Sequence, residues 1–184
     1  MRWSRREFLA GGGALAGSLV ARARSNDGAR GGFKDAPKRI ALANLHTGER
    51  LDLEYFRDGG YVPGALAAIE VLLRDFRNGE KHAVDPALLD YLVRVAHTLG
   101  VEPAFSVISG YRSPATNEQL RARGRGVAQR SLHMQGRAID VRMAHIDCAA
   151  LAEGALSLKR GGVGYYRASN FVHLDTGAFR TWKG

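Results

Sequence analysis

Residues 131–140 read Ser-Leu-His-Met-Gln-Gly-Arg-Ala-Ile-Asp. Gly136 lets the backbone bend between His133 and Asp140, and Ala138 leaves room beside a bound metal ion. The sequence then alternates between polar and apolar residues, which predicts a strand with Asp140 on its polar face. Because the neighbours of Asp140 on the strand are apolar, we expect this carboxylate to face a cavity and not a surface turn.

A second imidazole is presented in the same way by Phe171-Val172-His173-Leu174-Asp175. The alternation places His173 and Asp175 on the face opposite the apolar residues. Two imidazole nitrogens and one carboxylate oxygen are suitable tetrahedral ligands for zinc, and they leave a fourth position open for water. A closed structural site would need four ligands, usually including cysteine. The sequence therefore predicts one catalytic Zn²⁺ ion held by His133, Asp140 and His173.

The remaining histidines and the single cysteine favour structural roles. One cysteine permits no internal disulfide and no thiolate zinc cluster, and no neighbour of Cys148 would activate it as a nucleophile. We interpret Cys148 as a small packed residue and the other histidines as surface or structural residues. These histidines are His46, His82, His97 and His145.

The hydrophobic periodicity of residues 38–184 predicts a single α+β domain. Strands are expected over residues 39–45, 50–55, 105–109, 138–143, 163–166, 171–175 and 179–182. Helices are expected over 62–77, 85–99, 113–123 and 147–158, and two of them begin with a capping residue followed by proline. We expect N-terminal helices to pack on a small antiparallel sheet that carries the zinc site.

The first 23 residues have the layout of a secretory signal. Ser4-Arg5-Arg6-Glu7-Phe8-Leu9 precedes an uncharged run, AGGGALAGSLV, and Ala21-Arg22-Ala23 offers small residues for cleavage. The paired arginines are typical of the twin-arginine class, which predicts the export machinery as a partner and the periplasm as the location. The apolar run is far below the roughly 20 residues of a spanning helix, so we expect no stable membrane anchor. Residues 24–37 are predicted to be a flexible lead-in.

The net charge of +9 restricts the choice of partners. Four arginines and one glutamate lie within residues 1–23, so the chain beyond them is still basic. A basic surface suits nucleic acid, acidic lipid or a carboxylate-rich cell wall. No zinc-finger spacing or aromatic stacking motif accompanies the basic residues, and we therefore expect no nucleic-acid partner.

The pattern S-x-H-x-x-G-x-A-x-D at Ser131–Asp140 resembles the metal motif of the D-alanyl-D-alanine zinc peptidases. This group is related in fold to lysostaphin and the hedgehog signalling domain. Further matching segments, together with the export signal, resemble the murein endopeptidases of Gram-negative periplasms, and the resemblance runs through nearly the whole mature chain. They are NLHTGE at 44–49, SGYRS at 109–113 with Asn117, GGVGYY at 161–166, FVHLDTG at 171–177 and RTW at 180–182.

The resemblance implies roles for individual residues. It places zinc on His133, Asp140 and His173. Arg112 takes the position of an arginine that steadies the substrate carbonyl or the oxyanion, a role suited to a permanent cation. Ser131 takes the position of a serine that contacts substrate. Tyr165, together with its neighbour, either lines the substrate groove or packs as an aromatic residue.

The chain departs from the family pattern at the general base. Many relatives carry a glutamate three residues before the last histidine, where this chain has Asn170, and others carry a histidine where it has Phe171. The base must therefore come from elsewhere, or the chain is an inactive relative. Asp175 is the nearest candidate base, and it is equally suited to accept a hydrogen bond that orients His173.

The resemblance implies metal-assisted hydrolysis of peptidoglycan stem peptides. We expect an endopeptidase that cuts cross-links for cell-wall remodelling, including links between two diaminopimelate residues. A D,D- or L,D-carboxypeptidase would share the same metal site. A catalytically silent, metal-bearing wall-binding module is the alternative from another class, and Asn170 favours it.

Overall fold

The computed structural model describes residues 36–124 and 127–184, so the predicted signal and most of the predicted lead-in lie outside the described residues. No helix in those two ranges has the length and apolar character needed to cross a membrane. The strands are β1 Lys38–Asn44, β2 Arg50–Arg57, β3 Gly60–Tyr61, β4 Ala104–Ser109, β5 Ala138–Arg142, β6 Gly162–Tyr166, β7 Phe171–Asp175 and β8 Arg180–Lys183. The helices are α1 Pro63–Leu72, α2 Pro86–Thr98, α3 Pro114–Ala122 and α4 Cys148–Ser157, with a short 3₁₀ helix at Leu132–Gln135.

The described strands form one mixed sheet in the order β3-β2-β1-β4-β5-β7-β6-β8. β1 pairs with β4 in parallel, β6 pairs with β8 in parallel, and the other pairings are antiparallel. The α+β class is confirmed, but the sheet is larger than expected and is not purely antiparallel. The helices α1 and α2 lie between β2 and β4 in the chain, and such a long connection lets β4 return parallel to β1.

The helices α1, α2 and α4 pack against one face of the sheet, which forms the hydrophobic core. Val141, Val172 and Leu174 are fully buried on this face. Residues alternate across each strand, so the opposite face of the same strands carries Asp140 and His173. The core therefore fixes the strands that present these two polar side chains.

The two predicted cap-and-proline helix starts are confirmed. Asp85 Oδ1 accepts a hydrogen bond from the Ala87 amide at 3.0 Å at the start of α2. Ser113 Oγ accepts one from the Thr116 amide at 3.2 Å at the start of α3. These side chains satisfy amide groups that a helix leaves unpaired in its first turn.

The helix α1 ends at Leu72, earlier than the predicted residue 77. The Leu72 carbonyl accepts a hydrogen bond from the Asn44 side chain at 2.9 Å, and the Leu73 carbonyl accepts one from the Tyr111 amide at 2.7 Å. The buried Asp75 side chain accepts from the Ser113 amide at 2.9 Å. Tertiary hydrogen bonds thus replace the next helical turn, and they tie this segment to the loop that holds Arg112.

Candidate metal centre and active site

Strand pairing brings Asp140 and His173 together. The register of β5 and β7 places the two residues directly opposite each other, and therefore on the same face of the sheet. The shared polar face expected from the sequence is confirmed. Both residues are buried.

His133 reaches the same place from the 3₁₀ helix that precedes β5. Ser131 begins this helix, and its hydroxyl accepts a hydrogen bond from the His133 amide at 3.4 Å. Gly136 ends it with a φ of 63°, where a side chain would collide with the Ala83 carbonyl. The glycine thus permits the bend between His133 and the strand that carries Asp140, as expected from the sequence.

The three side chains converge on one point. The distance from His173 Nδ1 to Asp140 Oδ1 is 2.9 Å, and His133 Nε2 lies 3.2 Å from His173 Nδ1 and 3.3 Å from Asp140 Oδ1. Ligands at zinc–nitrogen and zinc–oxygen bond lengths of about 2.0–2.1 Å in a tetrahedral arrangement are separated by about 3.3 Å. The spacing of the three atoms therefore fits a zinc ion.

Hydrogen-bond partners outside the cluster determine which ring nitrogen of each histidine faces this point. His133 Nδ1 lies 2.7 Å from the Gly110 carbonyl, which can only accept, so this nitrogen carries the proton and Nε2 has a free lone pair. His173 Nε2 donates to Asp175 Oδ2 at 2.9 Å, which leaves Nδ1 with the free lone pair. Two nitrogen lone pairs and a carboxylate oxygen thus face one another, an arrangement that a bound cation stabilises.

The carboxyl group of Asp140 is ionised at neutral pH. Burial acts to raise its pKa, but when the facing imidazoles are protonated, the charges and hydrogen bonds of His133 and His173 outweigh burial and hold the pKa well below the ordinary value. A metal ligand must be deprotonated, and Asp140 meets this condition.

Arg112 lies beside the cluster with an unused donor. Its amide donates to the His133 carbonyl at 3.2 Å, and its Nη2 lies 4.0 Å from Asp140 Oδ2. Its Nη1 donates to Asn117 Oδ1 at 3.4 Å. Burial lowers the pKa of the guanidinium, and the nearby Asp140 opposes this shift. The buried Nε is a donor that has no hydrogen-bond partner among the described residues.

Asp175 is fully buried on the far edge of the His173 ring. Oδ1 accepts from the amides of Gly162 and Gly177 at 2.9 and 2.8 Å, and Arg180 binds both carboxylate oxygens at 3.0 and 2.6 Å. Oδ2 also accepts from His173 Nε2, whereas the cluster lies on the Nδ1 side of the ring. Of the two roles left open by the sequence, this geometry favours orientation of His173 over proton abstraction.

Two predicted substrate contacts have other surroundings in the structure. The Ser131 hydroxyl caps the helix that carries His133, so its observed contact is with the backbone. Tyr165 pairs with Val172 and packs against the hydrophobic core, on the face away from the cluster. Of the two roles left open for Tyr165, this geometry favours aromatic packing over lining the substrate groove. Its neighbour Tyr166 lies on the sheet face that carries the cluster. The alternation of side chains along the strand is the sequence signal that could have identified Tyr166 as the tyrosine on this face.

The departure at residue 170 has a conformational explanation. Asn170 lies in the turn between β6 and β7 with a φ of 52°. Asparagine adopts this left-handed conformation more readily than most residues. The tight turn therefore accounts for asparagine at this position.

The other histidines and Cys148 lie outside the cluster. Across residues 36–124 and 127–184, His133, Asp140 and His173 are the one group of at least three potential ligands whose binding atoms converge, all within 4.8 Å of one another. His46 stacks on Phe76. Cys148 is buried, and burial raises the pKa of its thiol, which agrees with a packing role.

An α+β domain with an open His-Asp-His cluster beside a buried arginine has the site of a metal-dependent hydrolase. The family model described as "Peptidoglycan L,D-endopeptidase MepK" matches residues 33–182. The chain therefore belongs to the MepK family of peptidases, within the D-alanyl-D-alanine zinc peptidase group, which confirms the resemblance found in the sequence.

Curated relatives lead to the same family. The chain is 45% identical over 146 residues to the peptidoglycan L,D-endopeptidase MepK of Escherichia coli, covering 79% of this chain and 80% of the relative. It is 43% identical over 149 residues to the probable peptidoglycan L,D-endopeptidase MepK of Haemophilus influenzae, covering 80% of each. The similarity therefore extends over most of both chains.

Proposed function

We propose that this protein is a zinc-dependent murein endopeptidase that cuts peptide cross-links of peptidoglycan during cell-wall remodelling. The observation that carries the proposal is the convergence of three metal-binding lone pairs beside a buried guanidinium whose Nε has no partner among the described residues, in a chain of the MepK family. We include links between two diaminopimelate residues among the substrates. The names of the relatives favour an endopeptidase over a carboxypeptidase.

The residues of the site divide into ligands, supports and a substrate-binding group. His133, Asp140 and His173 would hold one zinc ion, which would supply the Lewis acidity for hydrolysis of the peptide bond. Arg112 donates from its guanidinium to the carbonyl oxygen of the scissile bond and stabilises the negative charge that develops there. Asp175 holds the ring of His173 in the required orientation.

Muropeptide analysis tests this function. Purified mature protein is incubated with sacculi or with a purified cross-linked dimer, and the products are measured by mass spectrometry. An endopeptidase converts dimers to monomers, a carboxypeptidase removes the terminal residue from stems, and a silent wall-binding module changes neither. Loss of cleavage with a chelator and its return with added zinc would establish the metal requirement.

We further propose that residues 1–23 form a twin-arginine signal peptide, residues 24–37 a flexible lead-in and residues 38–184 the peptidase domain. The support is the Arg5-Arg6 pair, the weakly apolar uncharged run and the small residues before position 24. The substrate lies in the periplasm, so a peptidase that acts on it must be exported. No stable membrane anchor is part of this proposal.

Replacing Arg5 and Arg6 together by lysine is expected to leave the protein in the cytoplasm, because the twin-arginine receptor recognises the arginine pair. Cell fractionation and immunoblotting measure the distribution of precursor and mature protein. The matched control replaces Arg2 and Arg22 by lysine, which changes the same residue type but keeps the pair. Normal periplasmic accumulation of the Arg5/Arg6 variant would contradict the twin-arginine route.

Replacing Arg112 by lysine is expected to lower kcat by about 10²- to 10³-fold, the usual effect of removing one oxyanion donor. Lysine keeps the charge but lacks the Nε donor and the planar fork. Zinc content should remain at the wild-type level, because Arg112 does not contribute a ligand. The control is Arg121→Lys, at a partly exposed arginine paired with Glu118. Unchanged kcat in the Arg112 variant would remove this residue from the mechanism.

A further inference from the structure

Tyr166 lies on the sheet face that carries the metal-binding cluster. β6 pairs with β7 so that Gly164 is opposite His173 and Tyr166 is opposite Phe171. Gly164 and Tyr166 are two residues apart on one strand, which places them on the same face at a separation of roughly 6.6 Å. The preceding residue, Tyr165, points to the hydrophobic core.

Trp182 connects Tyr166 to the cluster. β8 runs beside β6 with Trp182 next to Gly164, and a Cβ atom on Gly164 would lie only 2.5–2.7 Å from atoms of the indole. The indole therefore rests on the glycine backbone, where a side chain would displace it. Its ring centre lies 5.1 Å from that of His173.

The indole fixes the hydrogen-bonding state of the phenol. Trp182 Nε1 donates to Tyr166 Oη at 2.9 Å, and because an indole nitrogen is only a donor, the phenol oxygen is the acceptor. The phenolic proton is then free to bind another group, and no acceptor for it occurs among the described residues. Phe171 stacks on the Tyr166 ring at a centroid distance of 4.5 Å and restrains it further.

Tyr166 and Arg112 both adjoin the cluster: Tyr166 binds the Trp182 indole, whose ring centre lies 5.1 Å from that of His173, and Arg112 Nη2 lies 4.0 Å from Asp140 Oδ2. Tyr166 is also only partly buried, unlike the ligands. The hydroxyl of Tyr166 is therefore a donor that an incoming peptide can reach beside the cluster.

We propose that Tyr166 is a further catalytic residue of this site, whose hydroxyl donates a hydrogen bond to a peptide oxygen at the scissile bond. The proposal rests on the peptidase function proposed above. Trp182 is a positioning residue that acts through Tyr166, since it holds the phenol oxygen and directs the free proton away from the indole. A donor already held in place costs little reorganisation when charge develops on the substrate oxygen.

Tyr166→Phe tests the proposal, because it removes the hydroxyl and keeps the ring. With a purified cross-linked muropeptide dimer as substrate, kcat/KM should fall by about 10- to 100-fold, the usual range for a lost hydrogen bond to a charged group. Zinc content and the midpoint of thermal unfolding should stay at wild-type values. The matched control is Tyr165→Phe, the same change one residue earlier on the core face, which should leave kcat/KM unchanged.

Trp182→Phe provides a second, independent measurement. Phenylalanine removes the indole N–H that holds the phenol, so kcat/KM should fall, but less than in Tyr166→Phe. In the double variant the second substitution should cause no further loss, because both changes act on one hydrogen-bonded unit. Two losses that simply multiply would overturn the positioning role of Trp182.

Wild-type kcat/KM in Tyr166→Phe would overturn the catalytic role, and so would an equal loss in Tyr165→Phe. If the wild type itself fails to cleave the dimer, the proposed peptidase function fails, and titration calorimetry of the dimer against zinc-loaded protein then decides the role of Tyr166. Weaker binding by Tyr166→Phe than by the wild type and Tyr165→Phe supports the contact with the peptide. Equal binding by all three refutes it.

Discussion

Replacing His133 by alanine is expected to abolish hydrolysis, with a loss greater than the roughly 10²- to 10³-fold caused by removing a single oxyanion donor. The variant keeps only Asp140 and His173 as ligands, and two ligands compete poorly with buffer for zinc. Folding should persist, because the core lies on the opposite face of the sheet and His133 comes from a short helix outside it. Metal analysis and muropeptide cleavage measure the two losses.

Thermal unfolding separates loss of metal from loss of fold. An ion that binds the native state raises its unfolding temperature, so the wild type should unfold at a higher temperature with zinc than with a chelator. The His133→Ala variant should show no such difference. The control is His145→Asn, at an exposed histidine with a φ of 62°, because asparagine tolerates this conformation. Full zinc occupancy in His133→Ala would remove His133 from the site.

The polar face of the site was predictable because its signal is local. Apolar residues on both sides of Asp140 and His173 indicate strands with one buried face, and the observed register places the two residues opposite each other. The role of Gly136 was likewise predictable, because the bend between His133 and the next strand needs a residue without a side chain. Each of these inferences uses only neighbours along the chain.

The parallel strand pairs were not predictable in the same way. Alternation in β1 and β8 shows that each is a strand, but it contains no information about which strand lies beside it. The early end of α1 has a similar cause, since the carbonyls of Leu72 and Leu73 are taken by residues distant in sequence. Intrinsic helical spacing continued past this point, and tertiary hydrogen bonds overrode it.

The role of Asp175 depended on a detail that spacing along a strand does not contain. Two residues along β7 separate it from His173, which is compatible with contact to either ring nitrogen. The structure shows contact with Nε2, and three further groups surround the carboxylate: the amides of Gly162 and Gly177, and the guanidinium of Arg180. A carboxylate so fully used is suited to fix a ring and poorly suited to accept a proton from water.

Replacing Asp175 by asparagine is therefore expected to weaken zinc binding by about 10- to 100-fold, as loss of a partner that orients a ligand usually does. Asparagine keeps the shape but must place an NH₂ group where one carboxylate oxygen stood. In one orientation this group faces the N–H donors of His173 and Arg180, and in the other it faces the amides of Gly162 and Gly177. Either orientation sets donor against donor in a buried site.

Competition with a chromophoric chelator measures the zinc affinity, and cleavage is assayed at limiting and at saturating zinc. An orienting role predicts that saturating zinc restores most of the activity, because the three ligands are still present. The control is Asp147→Asn at the N-cap of α4, where asparagine caps as well as aspartate. Unchanged zinc affinity with slow cleavage across the whole pH range would instead identify Asp175 as the base, since the amide cannot take a proton. Normal affinity with normal cleavage would exclude both roles and transfer the search for the base to residues distant in sequence.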